Sequence, residues 1–274
     1  MFKSVFHGMW RGAFVCTLVL SLLACGCSSL AGSKTATLRV MTYNIHHAEG
    51  LDKRIDLERI AAVIKAEKAD IVALQEVDKG TERTGRRDFP AELAALTGMT
   101  CIFSNNYSFQ GGEYGNAVLT RFPVNSSTNR LLKMTPKNEP RGILQVVMDV
   151  EGRPLVFMAT HLDAKQDDGE RVQSTGEIRE LMENFKGMPI IICGDFNDTP
   201  NSRTCQRLSE MLVDSWGAAG SGEGFTIPAN KPKSRIDYIW ISNGAPIVVK
   251  KAWVPVTEAS DHRPVAAELE FGGR

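Results

Sequence analysis

The order of hydrophobic and polar residues predicts strands and helices in alternation from residue 37 onward. Residues 37–44 alternate between apolar and polar types and are rich in β-branched side chains, which predicts a strand. Residues 56–67 place apolar side chains on one helical stripe behind Asp56, which is suited to cap a helix. Further predictions for this half are strands at 69–74, 100–103, 115–120 and 123–131, the last two forming a pair, and a helix at 89–97 closed by Gly98.

The second half of the chain continues this alternation. Two apolar segments flank Gly152 and predict a β-hairpin, and the wholly apolar run at 189–193 predicts a strand buried on both faces. The remaining predictions are helices at 169–185 and 201–212, a loop at 217–235, and strands at 236–241, 247–254 and 264–270. No linker interrupts residues 35–274, so we expect one mixed α/β domain (37–274) built from two sheets.

The composition is that of an ordinary globular protein. Of 274 residues, 43% are hydrophobic and 23% are charged, which excludes collagen, coiled-coil and disordered classes. Basic and acidic residues number 32 each, so a broad basic face for nucleic acid is not indicated, although a local basic groove is compatible with this sum.

Residues 1–24 have the pattern of a secretory signal peptide. Lys3 and Arg11 precede an apolar run that is shorter than the roughly 20 residues a bilayer-spanning helix needs. Without these two cations, 30 basic residues remain against 32 acidic residues, so the mature protein is slightly acidic. This balance further weakens the case for a non-specific polyanion-binding protein.

The end of this leader, residues 22–25, resembles a bacterial lipoprotein signal. The resemblance implies cleavage before Cys25 and lipidation of its thiol, and residues 25–36 are then a flexible tether. A cleaved signal without lipidation and a retained anchor are the alternatives. We expect a lipid-anchored protein of the cell envelope with its folded domain outside the cytoplasm, or otherwise a secreted soluble protein.

Polar side chains follow several predicted strands at the points where those strands end. Any one of them alone is typical of a strand end, a turn or a core histidine. Carboxamide and carboxylate oxygens at Asn44, Glu76 and Asp261 suit a hard cation such as Mg²⁺. Such an ion beside paired His and Asp side chains suits the cleavage of phosphoesters by water. The residues concerned are Asn44, Glu76, His161, Asp195, Asn197, Asp237, Asp261 and His262.

This ordered set resembles the endonuclease/exonuclease/phosphatase superfamily, which includes deoxyribonuclease I, exonuclease III and neutral sphingomyelinase. The motifs TYN, LQEV, THLD, GDFN, RIDY and SDH occur in the order of that superfamily, and the resemblance covers residues 37–270. It implies a four-layer α/β/β/α sandwich of two packed mixed β-sheets, with the site at one edge of the sheets.

The resemblance also implies a role for each matching residue. Asn44, Glu76 and Asp261 resemble the metal site, with Glu76 as the principal ligand of Mg²⁺ and with Mn²⁺ as a possible substitute.

The catalytic residues are implied in the same way. His161 resembles the histidine that faces the phosphate and either stabilises the transition state or protonates the leaving oxygen. Asp195 resembles the group that deprotonates water, and Asn197 resembles a donor to the phosphate. His262 resembles a phosphate contact whose tautomer Asp237 fixes.

Two further positions are candidate substrate contacts. Asn116 resembles a polar phosphate contact, and Arg141 could bind a second anionic group through both guanidinium nitrogens. A solvated charge in a turn is an equal interpretation of Arg141. Residues 104–113, with Tyr107 and Phe109, are a candidate membrane-docking loop, or equally a surface loop whose aromatic side chains point inward.

The motifs determine the reaction more closely than the substrate. We expect a monomeric, metal-dependent phosphoesterase, and the envelope location favours a lipid-headgroup phosphodiester. A DNA endonuclease or exonuclease is the alternative, against which the slightly acidic mature chain counts. A soluble inositol phosphatase is less favoured, because the sequence after GDFN departs from that group. A non-catalytic binding module on the same fold is the remaining alternative, although every core motif residue is present.

Overall fold

The computed structural model describes residues 35–272, which fold into two six-stranded β-sheets packed face to face. The predicted signal peptide, Cys25 and all but the last residues of the predicted tether lie outside the described residues. Within the described part of the chain, no helix has the length and apolar character needed to span a membrane.

The strands and helices alternate along the chain much as the hydrophobic pattern predicts. In chain order the strands are β1 (Ala36–Asn44), β2 (Ile71–Lys79), β3 (Thr100–Phe109), β4 (Gly112–Thr120), β5 (Val124–Leu131), β6 (Gly142–Val150), β7 (Arg153–His161), β8 (Ile190–Asp195), β9 (Leu212–Asp214), β10 (Asp237–Ser242), β11 (Ile247–Trp253) and β12 (Val265–Phe271). The helices are α1 (Leu57–Ala66), α2 (Phe89–Thr97), α3 (Gly169–Glu183), α4 (Arg203–Ser209) and α5 (Ser215–Ala219), with 3₁₀ turns at His46–Ala48 and Glu82–Thr84.

Each sheet contains one parallel pair of strands among antiparallel neighbours. The first sheet has the order β11-β12-β1-β2-β4-β3, and β1 is parallel to β2. The second sheet has the order β5-β6-β7-β8-β10-β9, and β7 is parallel to β8. Because parallel strands end at the same edge of a sheet, the carboxyl ends of β1 and β2 meet, as do those of β7 and β8.

Helices cover the outer faces of both sheets and complete four layers. Leu57 of α1 and Leu93 of α2 belong to one buried cluster with the outer face of the first sheet. Ile178 of α3 and Leu208 of α4 belong to a second cluster with the outer face of the second sheet. A third cluster fills the space between the sheets, so the predicted α/β/β/α sandwich is confirmed.

Local sequence signals fix the ends of the first two helices. The Asp56 side chain accepts a hydrogen bond from the backbone N–H of Arg59 at 3.1 Å, as expected for an N-cap. Asp88 caps α2 in the same way through the N–H of Ala91 at 3.0 Å. Gly98 ends α2 with a φ of 67°, a left-handed conformation that glycine adopts without strain.

Several sequence predictions differ from the structure. The strand predicted at 69–74 continues to Lys79 as β2, and the first residues of the loop predicted at 217–235 belong to α5. The segments 115–120 and 123–131 do not pair, because the short connection between them carries the chain from the first sheet to the second. The helix predicted at 201–212 ends at Ser209, and the strand β9 follows it. The segment 104–113 is not a loop, because β3 and β4 continue as a long hairpin through it.

Close packing of β7 on β8 gives a prediction for Gly194. A Cβ atom at Gly194 would lie 2.1 Å from the carbonyl oxygen of Thr160, a backbone atom that cannot move aside without distorting the sheet. We expect Gly194→Ala to lower the free energy of unfolding by about 1–3 kcal/mol, measured by denaturant unfolding. Gly176→Ala is the matched control, because a Cβ there meets nothing within 4 Å and the helix α3 should gain about 0.5–1 kcal/mol. Equal stability of the two variants would contradict this account.

Candidate active site

Most of the predicted site residues converge where the two sheets meet at one edge. Asn44 ends β1, His161 ends β7 and Asp195 ends β8, so the two parallel pairs of strands deliver these side chains to the same place. Asp237 begins β10 opposite Asp195, and His262 lies in the segment before β12. A cleft of about 370 Å³ opens there, and its lining includes Glu76, His161, Asp195, Asn197 and His262.

Asn44 joins the two sheets at the base of this cleft. Its side-chain N–H₂ donates to Glu76 Oε1 at 3.0 Å and to Asp195 Oδ2 at 3.1 Å. Its side-chain oxygen Oδ1 accepts from the backbone N–H of His46 at 3.0 Å, which fixes the orientation of the amide. Asn44 therefore holds the carboxylates of Glu76 and Asp195 next to each other in this arrangement.

A bulge in β2 turns Glu76 toward the cleft. The pairing of β2 with β4 shifts between Leu74 and Val77, and Glu76 adopts a φ of 59°. One carboxylate oxygen of Glu76 is held by Asn44, and the other accepts no hydrogen bond from the described part of the chain. A half-buried carboxylate with a free oxygen facing a cleft fits Mg²⁺, which binds through one or two carboxylates and keeps several waters.

Asp195 is the most constrained carboxylate of the site. It is 1% exposed, and its Oδ2 lies 3.5 Å from His161 Nε2 and 3.7 Å from His262 Nε2. Burial, together with the nearby Asp237 carboxylate, raises the pKa of Asp195 to about 7, against the opposing effect of His262. A carboxylate with such a pKa is suited to accept a proton near neutral pH.

His262 and Asp237 form a buried pair. His262 Nδ1 donates to Asp237 Oδ2 at 2.9 Å, so Nε2 is the nitrogen that faces Asp195 and the cleft. Burial disfavours the charged imidazolium, but the carboxylates of Asp237 and Asp195 outweigh this effect and raise the pKa of His262 to about 10. His262 therefore carries a positive charge at neutral pH.

His161 has the opposite protonation state. Arg141 Nη1 lies 3.1 Å from His161 Nδ1, and because a guanidinium can only donate, this nitrogen is an acceptor and Nε2 carries the proton. Burial, with Arg141 and His262 nearby, holds the pKa of His161 well below its usual range. His161 is therefore a neutral donor that points its Nε2–H toward Asp195.

Of the other predicted residues, Asn197 contacts Asp195, whereas Asp261 lies outside the cleft. The backbone N–H of Asn197 donates to Asp195 Oδ1 at 2.9 Å, and its side-chain N–H₂ donates to the carbonyl of Leu162 at 3.1 Å. Asp261 is not among the residues that line the cleft, and its carboxylate lies 3.8 Å from His46 Nδ1.

Of the two candidate substrate contacts, Arg141 lines the cleft and Asn116 does not. Arg141 is buried against Glu139 at 2.6 Å and lines the cleft, which does not fit a solvated charge in a turn. Asn116 is also buried, but its side chain donates to the carbonyl of Gly142 at 3.1 Å and so ties β4 to β6 behind the cleft wall.

One wall of the cleft consists of aromatic side chains and Arg83, and the sequence motifs did not identify it. Tyr107, Phe109 and Tyr114 lie within 5.2–6.2 Å of one another between ring centroids, and the Arg83 guanidinium stacks over Phe109 at 4.7 Å. Asp78 holds Arg83 through two hydrogen bonds of 2.7 and 2.8 Å. The aromatic pair in 104–113 was the only sequence signal, and it indicated a surface loop as much as a site.

Comparison with known proteins identifies the family of this chain. Residues 41–262 match the Endonuclease/Exonuclease/phosphatase family. The uncharacterized protein YbhP of Escherichia coli is 27% identical over 254 residues, which cover 86% of this chain and 97% of YbhP. The matched residues include the whole site, from Asn44 to His262.

Solved structures show the same fold. The human Nocturnin catalytic domain, solved with a bound sulfate anion, superposes with a TM-score of 0.69 at 25% identity, covering 87% of this chain and 97% of that domain. A mannosyl-6-phosphatase of Bacteroides thetaiotaomicron superposes with a TM-score of 0.71 at 22% identity, covering 85% of this chain and 100% of that protein. With most of its length matched, this chain belongs to the Endonuclease/Exonuclease/phosphatase family, whose members are hydrolases that act on phosphoester bonds.

Proposed function

We propose that this protein is a metal-dependent phosphodiesterase that uses Asp195 to activate water and that acts on a lipid headgroup. The observation that carries the proposal is the environment of the Asp195 carboxylate. Asn44 donates to Asp195 Oδ2 at 3.1 Å, and His161 and His262 lie on either side of it. A buried base flanked by one neutral and one charged imidazole is suited to hydrolysis of a phosphoester.

The chain's own groups supply the proton transfers. A water molecule hydrogen-bonded to Asp195 transfers a proton to that carboxylate as its oxygen forms a bond to phosphorus. The bond from phosphorus to the leaving oxygen then breaks, and the His262 imidazolium is the charged donor able to protonate that oxygen. Asp237 keeps His262 in the required tautomer through the 2.9 Å hydrogen bond.

Donors around the cleft stabilise the charge that develops on the phosphoryl oxygens. The neutral His161 offers an N–H, and Arg141 offers a positive charge that the Glu139 carboxylate partly balances. These groups are held before substrate arrives, so little reorganisation is needed during the reaction. A divalent cation bound at Glu76 would add Lewis-acid neutralisation of the same charge.

The charges of the cleft favour a compact phosphodiester over a long polyanion. Two arginines line the cleft, and each is paired with a carboxylate. Arg83 pairs with Asp78, and Arg141 pairs with Glu139. Binding of a nucleic-acid backbone instead draws its affinity from many unpaired cations.

The leader supports a substrate at a membrane. Lipidation of Cys25, as the lipoprotein-like signal predicts, would hold the folded domain at a lipid surface outside the cytoplasm. DNA cleavage by the same catalytic groups is the second candidate activity. A comparison of lipid and DNA substrates distinguishes the two.

We expect the purified protein with Mg²⁺ to hydrolyse vesicles of sphingomyelin or glycerophospholipid faster than plasmid or abasic-site DNA. Phosphate-containing products measured in parallel reactions give the comparison, and EDTA should abolish turnover because the Glu76 site then loses its cation. Full activity in EDTA would contradict the metal requirement. Cleavage of DNA without hydrolysis of lipid would replace the lipid proposal by the nuclease.

Asp195→Asn and His262→Gln should each lower kcat by at least about 10²-fold, because each removes one proton-transfer group while keeping the size of the side chain. Steady-state rates on bis-p-nitrophenyl phosphate provide the measurement, with circular dichroism to verify folding. Asp168→Asn is the matched control, since this carboxylate pairs with Arg203 on the surface and should leave kcat unchanged. Near-normal rates in both active-site variants would exclude this mechanism.

Cys25→Ser should abolish labelling by a fatty-acid analogue and move the protein from the membrane fraction to the soluble fraction. Cys27→Ser is the matched control, because the predicted cleavage site precedes residue 25 and the second thiol is not at the new amino terminus. Unchanged membrane association of Cys25→Ser would show that lipidation at this residue does not anchor the protein.

A further inference from the structure

Two adjacent histidines lie beside Glu76, outside the group of residues that transfers protons. His46 and His47 follow the TYN motif and form a 3₁₀ turn at the end of β1. One nitrogen of each imidazole and one carboxylate oxygen of Glu76 lie within 4.8 Å of one another. The two rings are in contact, with centroids 4.5 Å apart.

One nitrogen of each ring also lies near Glu49. His46 Nδ1 lies 3.3 Å from the backbone carbonyl oxygen of Glu49, which leaves Nε2 free to act as a ligand. His47 Nε2 lies 3.7 Å from a carboxylate oxygen of Glu49, which leaves Nδ1 as the nitrogen available to a ligand. Histidines that bind metals usually donate their second N–H to a carbonyl or carboxylate, because the bond orients the ring. The His46 contact is within hydrogen-bond distance, and the His47 contact is slightly longer.

The free nitrogen of His47 is unsatisfied within the protein. The side chain of His47 is 10% exposed, and its Nδ1 is buried without a hydrogen-bond partner among residues 35–272. Buried polar atoms are rarely left unpaired, so such an atom beside two other ligand groups indicates a missing bonding partner. A cation is the partner that suits an imidazole nitrogen and a carboxylate oxygen together.

The backbone holds these three side chains in place. His46, His47 and Glu76 all have positive φ, at 45°, 41° and 59°. Residues other than glycine adopt this conformation infrequently, and here it occurs at all three residues of the group.

We propose that His46, His47 and Glu76 bind a divalent transition-metal ion such as Zn²⁺, at a site that shares Glu76 with the Mg²⁺ site. Two imidazoles and one carboxylate, with water as the fourth ligand, form a donor set that suits Zn²⁺ better than Mg²⁺. Ligands at about 2.0–2.2 Å from such an ion lie at most about 4.4 Å apart, so these atoms, which lie within 4.8 Å of one another, need to approach by at most a few tenths of an ångström.

The position of this site beside the cleft has a chemical consequence. Two cations that share a carboxylate typically lie about 3.5–4 Å apart and bind one phosphoryl group between them. The Asp261 carboxylate, 3.8 Å from His46 Nδ1, adds negative charge next to the histidine pair. A catalytic use of the second ion rests on the proposed function, whereas binding of the ion does not.

The test is a calorimetric titration of the chelator-treated full-length protein with Zn²⁺ under saturating Mg²⁺. We expect one Zn²⁺ to bind, and His46→Asn and His47→Asn each to weaken this binding at least about tenfold. Asparagine is the replacement because it tolerates positive φ and so preserves the turn. Co²⁺ titrated in place of Zn²⁺ should give visible absorption bands that both variants lose.

Asp52→Asn is the matched control. This carboxylate lies a few residues from the histidines but pairs with Arg59 at 2.9 Å, so its removal should leave the affinity for Zn²⁺ unchanged. Absence of Zn²⁺ binding to the wild-type protein, or wild-type affinity in the histidine variants, would overturn the proposal. If His47→Asn fails to fold, the Zn²⁺ affinity of His46→Asn is the test, because the His46 side chain is partly exposed. Zn²⁺ binding without phosphoesterase activity would refute the proposed function and leave this site standing.

Discussion

The buried carboxylate of Asp195 is the constraint on which the rest of the site depends. An ionised carboxylate that is 1% exposed is costly unless hydrogen-bond donors and positive charge surround it. Asn44 and the backbone N–H of Asn197 donate to its two oxygens, and His262 supplies a nearby positive charge. These groups only partly offset burial, so the pKa stays near neutrality, and a carboxylate with such a pKa can act as a base.

The hydrogen bond that Asn44 donates to this carboxylate also couples the two sheets. Asn44 belongs to the first sheet and Asp195 to the second, so the hydrogen bond between them crosses the sandwich at the cleft. Ser260 donates to the Asn44 carbonyl at 2.8 Å, which brings the segment carrying His262 to the same point. Asn116 makes a comparable link between β4 and β6. The candidate active site therefore lies where the two sheets are joined, and its geometry depends on their relative position.

Neighbouring residues give chemically similar side chains different roles. His161 and His262 both face Asp195, but burial and the donor Arg141 lower the pKa of the first, whereas the carboxylates of Asp237 and Asp195 raise the pKa of the second. His46 and His47 lie beside Glu76 instead, and one nitrogen of each ring lies near Glu49. Hydrogen-bond partners and neighbouring charges thus give the histidines different protonation states and surroundings, although their intrinsic chemistry is the same.

Local sequence determined the parts of this protein that depend on near neighbours. Helix caps such as Asp56, the turn at Gly98 and the apolar run of β8 follow from short-range pattern, and the ordered motifs identified most of the residues that meet at the cleft. Only the tertiary structure decided which strands pair after residue 120, how Arg83 and the hairpin aromatics form a wall, and that the His47 ring is buried. These properties depend on contacts between residues far apart in the chain, and burial and hydrogen-bond partners exist only once those residues have been brought together.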